Sequence, residues 1–103
     1  MFQRMRNHIV INVPEVDMMT VSDIQVNFYQ RSTETSLNYE GENVEVVNQH
    51  QIVVYMPKED AMLLDKRPVN GQVMFMRGDG LPDATKIFTS TVDELQKEDG
   101  YGD

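Results

Sequence analysis

Ile52-Val53-Val54-Tyr55-Met56-Pro57-Lys58-Glu59-Asp60-Ala61-Met62-Leu63-Leu64 runs on to Pro68 and then to Gln72-Val73-Met74-Phe75-Met76-Arg77. Along this stretch the spacing of apolar residues changes from two to a helical period and back to two. Ile52, Val54 and Met56 alternate with Val53 and Tyr55, as a strand with one buried face requires. Pro57 suits a first helical turn, and Glu59 and Asp60 lie at its positive end. Pro68 prevents continuation. The spacing therefore predicts one short helical turn, near residues 57–65, between two strands. A parallel βαβ crossover needs a longer connection, so the turn fits a corner where the chain passes from one antiparallel sheet to another.

The same period-two signal extends in both directions. Towards the N-terminus, Ile9, Ile11 and Val13 share one face of a strand from Asn7, closed by Pro14. Ile24, Val26 and Phe28 alternate with Gln25, Asn27 and Tyr29; a weaker strand follows from Thr35 to Tyr39, and a short one carries Val44 and Val46. Towards the C-terminus, Gly78-Asp79-Gly80 supplies hairpin turn chemistry, and a last strand is expected from about Ala84 to Val92. About seven short strands with regular turns predict an all-β fold, an immunoglobulin-like antiparallel β-sandwich. The cysteines and tryptophan of antibody domains are missing, and a small closed barrel gives nearly the same pattern. Residues 7–95 read as one sandwich domain, residues 1–6 as a flexible N-terminal arm, and residues 96–103 as an acidic flexible tail.

Composition narrows the classes of function. A chain of 103 residues with 40% apolar content has material for one modest core. Without cysteine, disulfides, thiolate metal sites and cysteine nucleophiles are excluded. No apolar run approaches the ~20 residues of a membrane-spanning helix, and nothing behind Arg4 and Arg6 reads as a signal peptide. The expectation is a protein made in the cytoplasm with no membrane partner. The net charge of -8 and the scattered basic residues argue against nucleic acid, which needs Lys and Arg gathered on one face. The acidity serves solubility or docking onto a basic partner.

Chemistry-bearing patterns are sparse. His8 and His50 have no ligand at metal spacing. The carboxylates Glu40, Glu42, Glu45, Glu59 and Asp60 read as solvated faces rather than a facing acid/base pair. Asp79 lacks the alternating acidic ligands of a calcium loop. No catalytic residue, cofactor, metal or small-molecule substrate is expected. The unusual feature is methionine, eight in all. If Val73 and Phe75 face the core, Met74 and Met76 lie on an outer face, where flexible thioethers suit adaptable protein contact; a bulge or a covering layer would bury them instead. Tyr29, Tyr39 and Tyr55 fall on strands, and tyrosine is enriched at interfaces.

Ile24-Gln25-Val26-Asn27-Phe28-Tyr29-Gln30, Ile52 to Ala61, Gly71-Gln72-Val73-Met74-Phe75-Met76-Arg77, Asp79-Gly80 and Ala84-Thr85-Lys86-Ile87 together resemble a family of small β-sandwich structural proteins encoded by tailed phages and prophages of Gram-positive bacteria. The likeness covers about Asp23 to Glu98. It departs at Pro57, where such proteins tend to have threonine, and in the polar ending Gly100-Tyr101-Gly102-Asp103. It implies a virion structural protein, a head decoration or head-connector accessory, made in the host cytoplasm and bound in multiple copies to a capsid or connector protein. The contact residues expected on this reading are Arg4, Arg6, Tyr29, Tyr55, Met74 and Met76. The rival readings are a tail or baseplate domain contacting host-surface carbohydrate, and an intracellular modulator that binds a host protein.

Overall fold

The computed structural model describes residues 6–90, with side chains from residue 8 onward. The expected arm, apart from the Arg6 backbone, and the expected tail lie outside the described residues. The strands are β1 (Arg6–Asn12), β2 (Ser22–Gln30), β3 (Thr35–Glu40), β4 (Val44–Asn48), β5 (Gln51–Pro57), β6 (Val69–Met76), β7 (Pro82–Ala84) and β8 (Phe88–Ser90). One helical turn, α1 (Lys58–Ala61), separates β5 from β6, and a 3₁₀ turn at Gly41–Asn43 leads into β4.

Two antiparallel sheets form a sandwich. The smaller has the order β1-β5-β4. The larger has the order β3-β2-β6, with β7 and β8 pairing opposite halves of the far edge of β6. The sheets are separate, so the chain is a sandwich and not a closed barrel. In a constant-type immunoglobulin domain the second strand lies between the first and the fifth; here β2 lies between β3 and β6. The two-layer construction is the expected one, while the strand order is its own.

Alternation positions the core. Ile9 and Ile11 of β1 and Ile52, Val54 and Met56 of β5 face Val26 and Phe28 of β2 and Val69, Val73 and Phe75 of β6. Fully burying each such side chain stabilises the fold by about 1.5–3 kcal/mol. The Phe28 ring meets Tyr39 at 6.0 Å and Phe88 edge-on at 6.3 Å, arrangements that aromatic quadrupoles favour. Phe88 lies across Gly71, its cross-strand partner, and a Cβ there would come within 2.4 Å of the ring.

The corner forms where the period change predicts it. Ala61 of α1 and Leu64 just after it are buried in the core, and the Tyr39 hydroxyl donates to Asp60 Oδ2 at 2.9 Å. Burial first, then the hydrogen bond and charge of Asp60, push the Tyr39 phenol well above its ordinary pKa. The last expected strand, Ala84 to Val92, is divided, because Thr85 interrupts it. Its N–H bonds Val73 O at 2.9 Å, but the Val73 N–H donates to the Thr85 hydroxyl at 3.2 Å. A side-chain oxygen has replaced a backbone acceptor, so the ladder stops at Ala84 and resumes at Phe88.

Candidate functional site

The outward face of the larger sheet collects three of the expected contact residues. In β2 the side chains of Val26, Phe28 and Gln30 are buried, which turns Gln25, Asn27 and Tyr29 outward; in β6 the burial of Val73 and Phe75 turns Met74 and Met76 outward. Register sets the spacing. Tyr29 pairs with Asn70, Asn27 with Gln72, and Gln25 with Met74. Tyr29 therefore marks one end of the face and the methionines the other, with amides between them.

Those amides are engaged with the sheet itself. Asn27 donates to Ser36 Oγ at 3.0 Å and to Asn38 Oδ1 at 2.9 Å, and Gln72 donates to Thr85 O at 2.9 Å. At the methionine end, Met74 and Met76 are half-buried beside Pro82 and Ala84 of β7, and with Asp23, Gln25 and Asp83 they line a shallow groove of about 600 Å³. A β-bulge between Ser22 and Gln25, with Asp23 at φ 50°, opens that end of the sheet. The methionines lie on the outward side, half-buried and with no covering layer among the described residues, the geometry their alternation with Val73 and Phe75 implies.

Tyr55 does not join them. It belongs to β5, where Ile52, Val54 and Met56 point inward, so it stands on the outer face of the smaller sheet. There the His8 ring meets it edge-on at 4.7 Å, and its hydroxyl donates to Glu45. Exposed Val10 and Val47 lie on the same side of the sandwich. The expected contact set is thus divided between two opposite faces. Alternation within a strand sets which residues share a side, but not which sheet the strand enters. Arg4 and the Arg6 side chain lie outside the described residues; the Arg6 backbone pairs with Pro57 as the first residue of β1.

The polar residues most deeply engaged are ones sequence reasoning did not single out. Gln30 is fully buried. Its amide donates to Asp65 O at 3.1 Å and Arg67 O at 2.7 Å, and its oxygen accepts from Asp65 N at 2.8 Å and the Thr33 hydroxyl at 2.9 Å. The signal was available: Gln30 is in phase with Val26 and Phe28, at an inward position. His50, which the sequence offers no metal spacing, holds the loop after β1. Its Nδ1 lies 3.2 Å from Val13 O and 2.9 Å from Val16 O. Carbonyls only accept, so this nitrogen carries the proton.

The carboxylates serve turns and corners. The Leu81 N–H, then the Arg77 side chain, hold Asp79 below its ordinary pKa in the hairpin after β6. The Arg67 N–H, then the Ser32 hydroxyl and the Arg67 charge, do the same for Asp65. Among the described residues no group of three or more His, Cys, Asp or Glu side chains is placed to hold a metal ion. A scan against protein-family models finds no match, nor do searches of curated proteins and of solved structures.

Proposed function

We propose that the chain is a structural protein of a tailed-phage particle, a head decoration or head-connector accessory, which works by binding a capsid or connector protein in many copies. The observation that carries this reading is the outer face of the larger sheet, where Tyr29, Met74 and Met76 project from neighbouring strands held in register. Methionines adapt to an irregular partner at little rotamer strain, and a paired sheet presents them without ordering cost. Repetition on a symmetric shell multiplies a modest affinity per copy. The resemblance to small phage sandwich proteins supports the choice of partner.

The face suits protein contact better than carbohydrate. A sugar site calls for aromatic rings around a groove, and Tyr29 is the one aromatic residue on this face among the described residues. Of the amides on this face, Asn27 is occupied by Ser36 and Asn38, and Gln72 by Thr85.

Quantitative mass spectrometry of purified particles tests the assignment. Many copies per particle are expected, in fixed ratio to the major capsid protein; absence from intact particles refutes it. The face is tested by Met74→Asp together with Met76→Asp. Each methionine is already half-buried, so completing its burial contributes about 1 kcal/mol, and capsid binding should weaken at least about tenfold while the protein stays folded. Unchanged binding by the folded variant removes the face from the proposal.

A further inference from the structure

Asn70-Gly71 is the single Asn-Gly pair of the chain. Such a pair usually marks a hairpin turn, but here it stands inside a strand, as the second and third residues of β6. The glycine has a packing reason, since the Phe88 ring lies where a Cβ at Gly71 would be. The asparagine is disfavoured in a strand and exposed; its Oδ1 accepts from the Thr89 hydroxyl at 3.3 Å.

An asparagine followed by glycine carries its own electrophile and nucleophile. Without a side chain on Gly71, its backbone nitrogen can approach Asn70 Cγ. The N–Cγ bond forms, the Cγ–Nδ2 bond breaks, and ammonia leaves a cyclic succinimide. Water then opens the ring at either carbonyl, giving aspartate or isoaspartate. Water and a base are the only reactants required.

The fold blocks the first step. The Arg77 N–H bonds Leu81 O, and the Thr85 N–H bonds Val73 O, so the odd-numbered residues of β6 turn their backbone groups towards β7 and β8. By alternation, the Gly71 N–H is held by β8, opposite Phe88, and the Asn70 carbonyl by β2, opposite Tyr29. Ring closure requires the peptide plane between them to leave the extended form, which breaks both bonds. β8 thus restrains both reacting groups, the nitrogen through Phe88 and the side-chain amide through Thr89. Yet β8 is only three residues long, Phe88–Ser90, and pairs only with β6 among the described residues. A short edge strand belongs to the least stable part of a fold.

We propose that Asn70 is a deamidation site latched by β8. While β8 is docked the amide persists; a chain whose β8 detaches, freeing the start of β6, converts Asn70 irreversibly. The product carries a new carboxylate opposite Tyr29, and isoaspartate adds a backbone methylene that spoils the register of β6 with both neighbours. The reaction marks copies that have opened and sets them apart from copies that have stayed folded. This inference does not rest on the particle assignment.

Peptide mass spectrometry of the full chain tests it, after incubation in mildly alkaline buffer and in urea that abolishes the circular dichroism of the fold. In urea, Asn70 should be the first asparagine converted, to aspartate and isoaspartate together. In buffer the conversion should be at least about tenfold slower, and amide exchange at Gly71 should be slowed alongside it. Phe88→Ala removes the ring that anchors β8 and should raise the rate in buffer towards that in urea while circular dichroism still reports the folded chain; where it does not fold, Phe88→Leu takes its place. Thr89→Val frees Asn70 Oδ1 and should raise the rate less. Three results overturn the inference: another asparagine converting before Asn70 in urea, Asn70 converting as fast in buffer as in urea, or a folded Phe88 variant converting at the wild-type rate.

Discussion

Replacing Gln30 with leucine should cost the fold about 3 kcal/mol. The side chain is fully buried, and four hydrogen bonds end on its amide, from or to Asp65 N, Asp65 O, Arg67 O and the Thr33 hydroxyl. At about 1 kcal/mol net each, their loss removes about 4 kcal/mol. The additional buried carbon of leucine returns about 1 kcal/mol. Water reaching the outer side of the Asp65–Arg67 connection keeps the orphaned backbone groups from costing their full desolvation. For a domain of this size the change corresponds to a fall in Tm of about 12–24 °C. Urea unfolding followed by circular dichroism should show the midpoint moving with the slope unchanged. Hydrogen exchange at the Asp65 amide should accelerate about a hundredfold, because that N–H loses its acceptor. Gln30→Glu separates donor from acceptor. It keeps an oxygen for Asp65 N but turns a carboxylate towards two carbonyls, so its burial raises the carboxyl pKa. Its stability should therefore recover as the pH falls and the acid becomes a donor. A Gln30→Leu protein within about 0.5 kcal/mol of wild type, with Asp65 still protected, would refute the view that this amide holds the corner.

Three further outcomes follow from the packing. Tyr39 keeps its proton in the folded state at pH values where an unfolded tyrosine loses it. Its contribution to stability is thus complete below pH 10 and declines above it, by at most about 1.4 kcal/mol per pH unit; Tyr39→Phe should flatten that part of the curve measured by urea unfolding. Gly71→Ala places a methyl group on the Phe88 ring and should cost about 1–3 kcal/mol. Adding Phe88→Leu to it should cost less than the two single changes together, which a double-mutant cycle measures. Thr85→Val removes the hydroxyl that accepts from Val73 N and leaves a buried donor unmet, at about 1–3 kcal/mol; amide exchange at Val73 should report the loss directly.

What the sequence discloses here is local, and what it conceals is pairing. Ile52, Val54 and Met56 are spaced two apart, and all three are buried; the same spacing places Val73 and Phe75 inside and Met74 and Met76 outside. The corner was legible because Pro57 and Pro68 bracket a break in period. Which strands become neighbours was not. The pairs β1 with β5 and β2 with β6 join residues some 40–50 positions apart, and nothing local records the choice. That choice is why Tyr29 and Tyr55, alike in their strands, stand on opposite faces of the sandwich. The division of the last strand was hidden for a different reason. Thr85 has high strand propensity, and propensity does not say whether a hydroxyl or a carbonyl will meet the opposing N–H.

Gln30 lies between these cases. A polar residue in phase with Val26 and Phe28 contradicts its strand's pattern, and such a contradiction persists only where buried partners compensate it. Those partners are backbone groups of the 62–68 connection, whose own residues are polar or exposed for most of its length. The connection could not hold its shape through apolar burial beyond Leu64. A buried amide supplies the fixed point instead, and Met62, Leu63, Lys66 and Arg67 are presented outward because the backbone beneath them is tied inward.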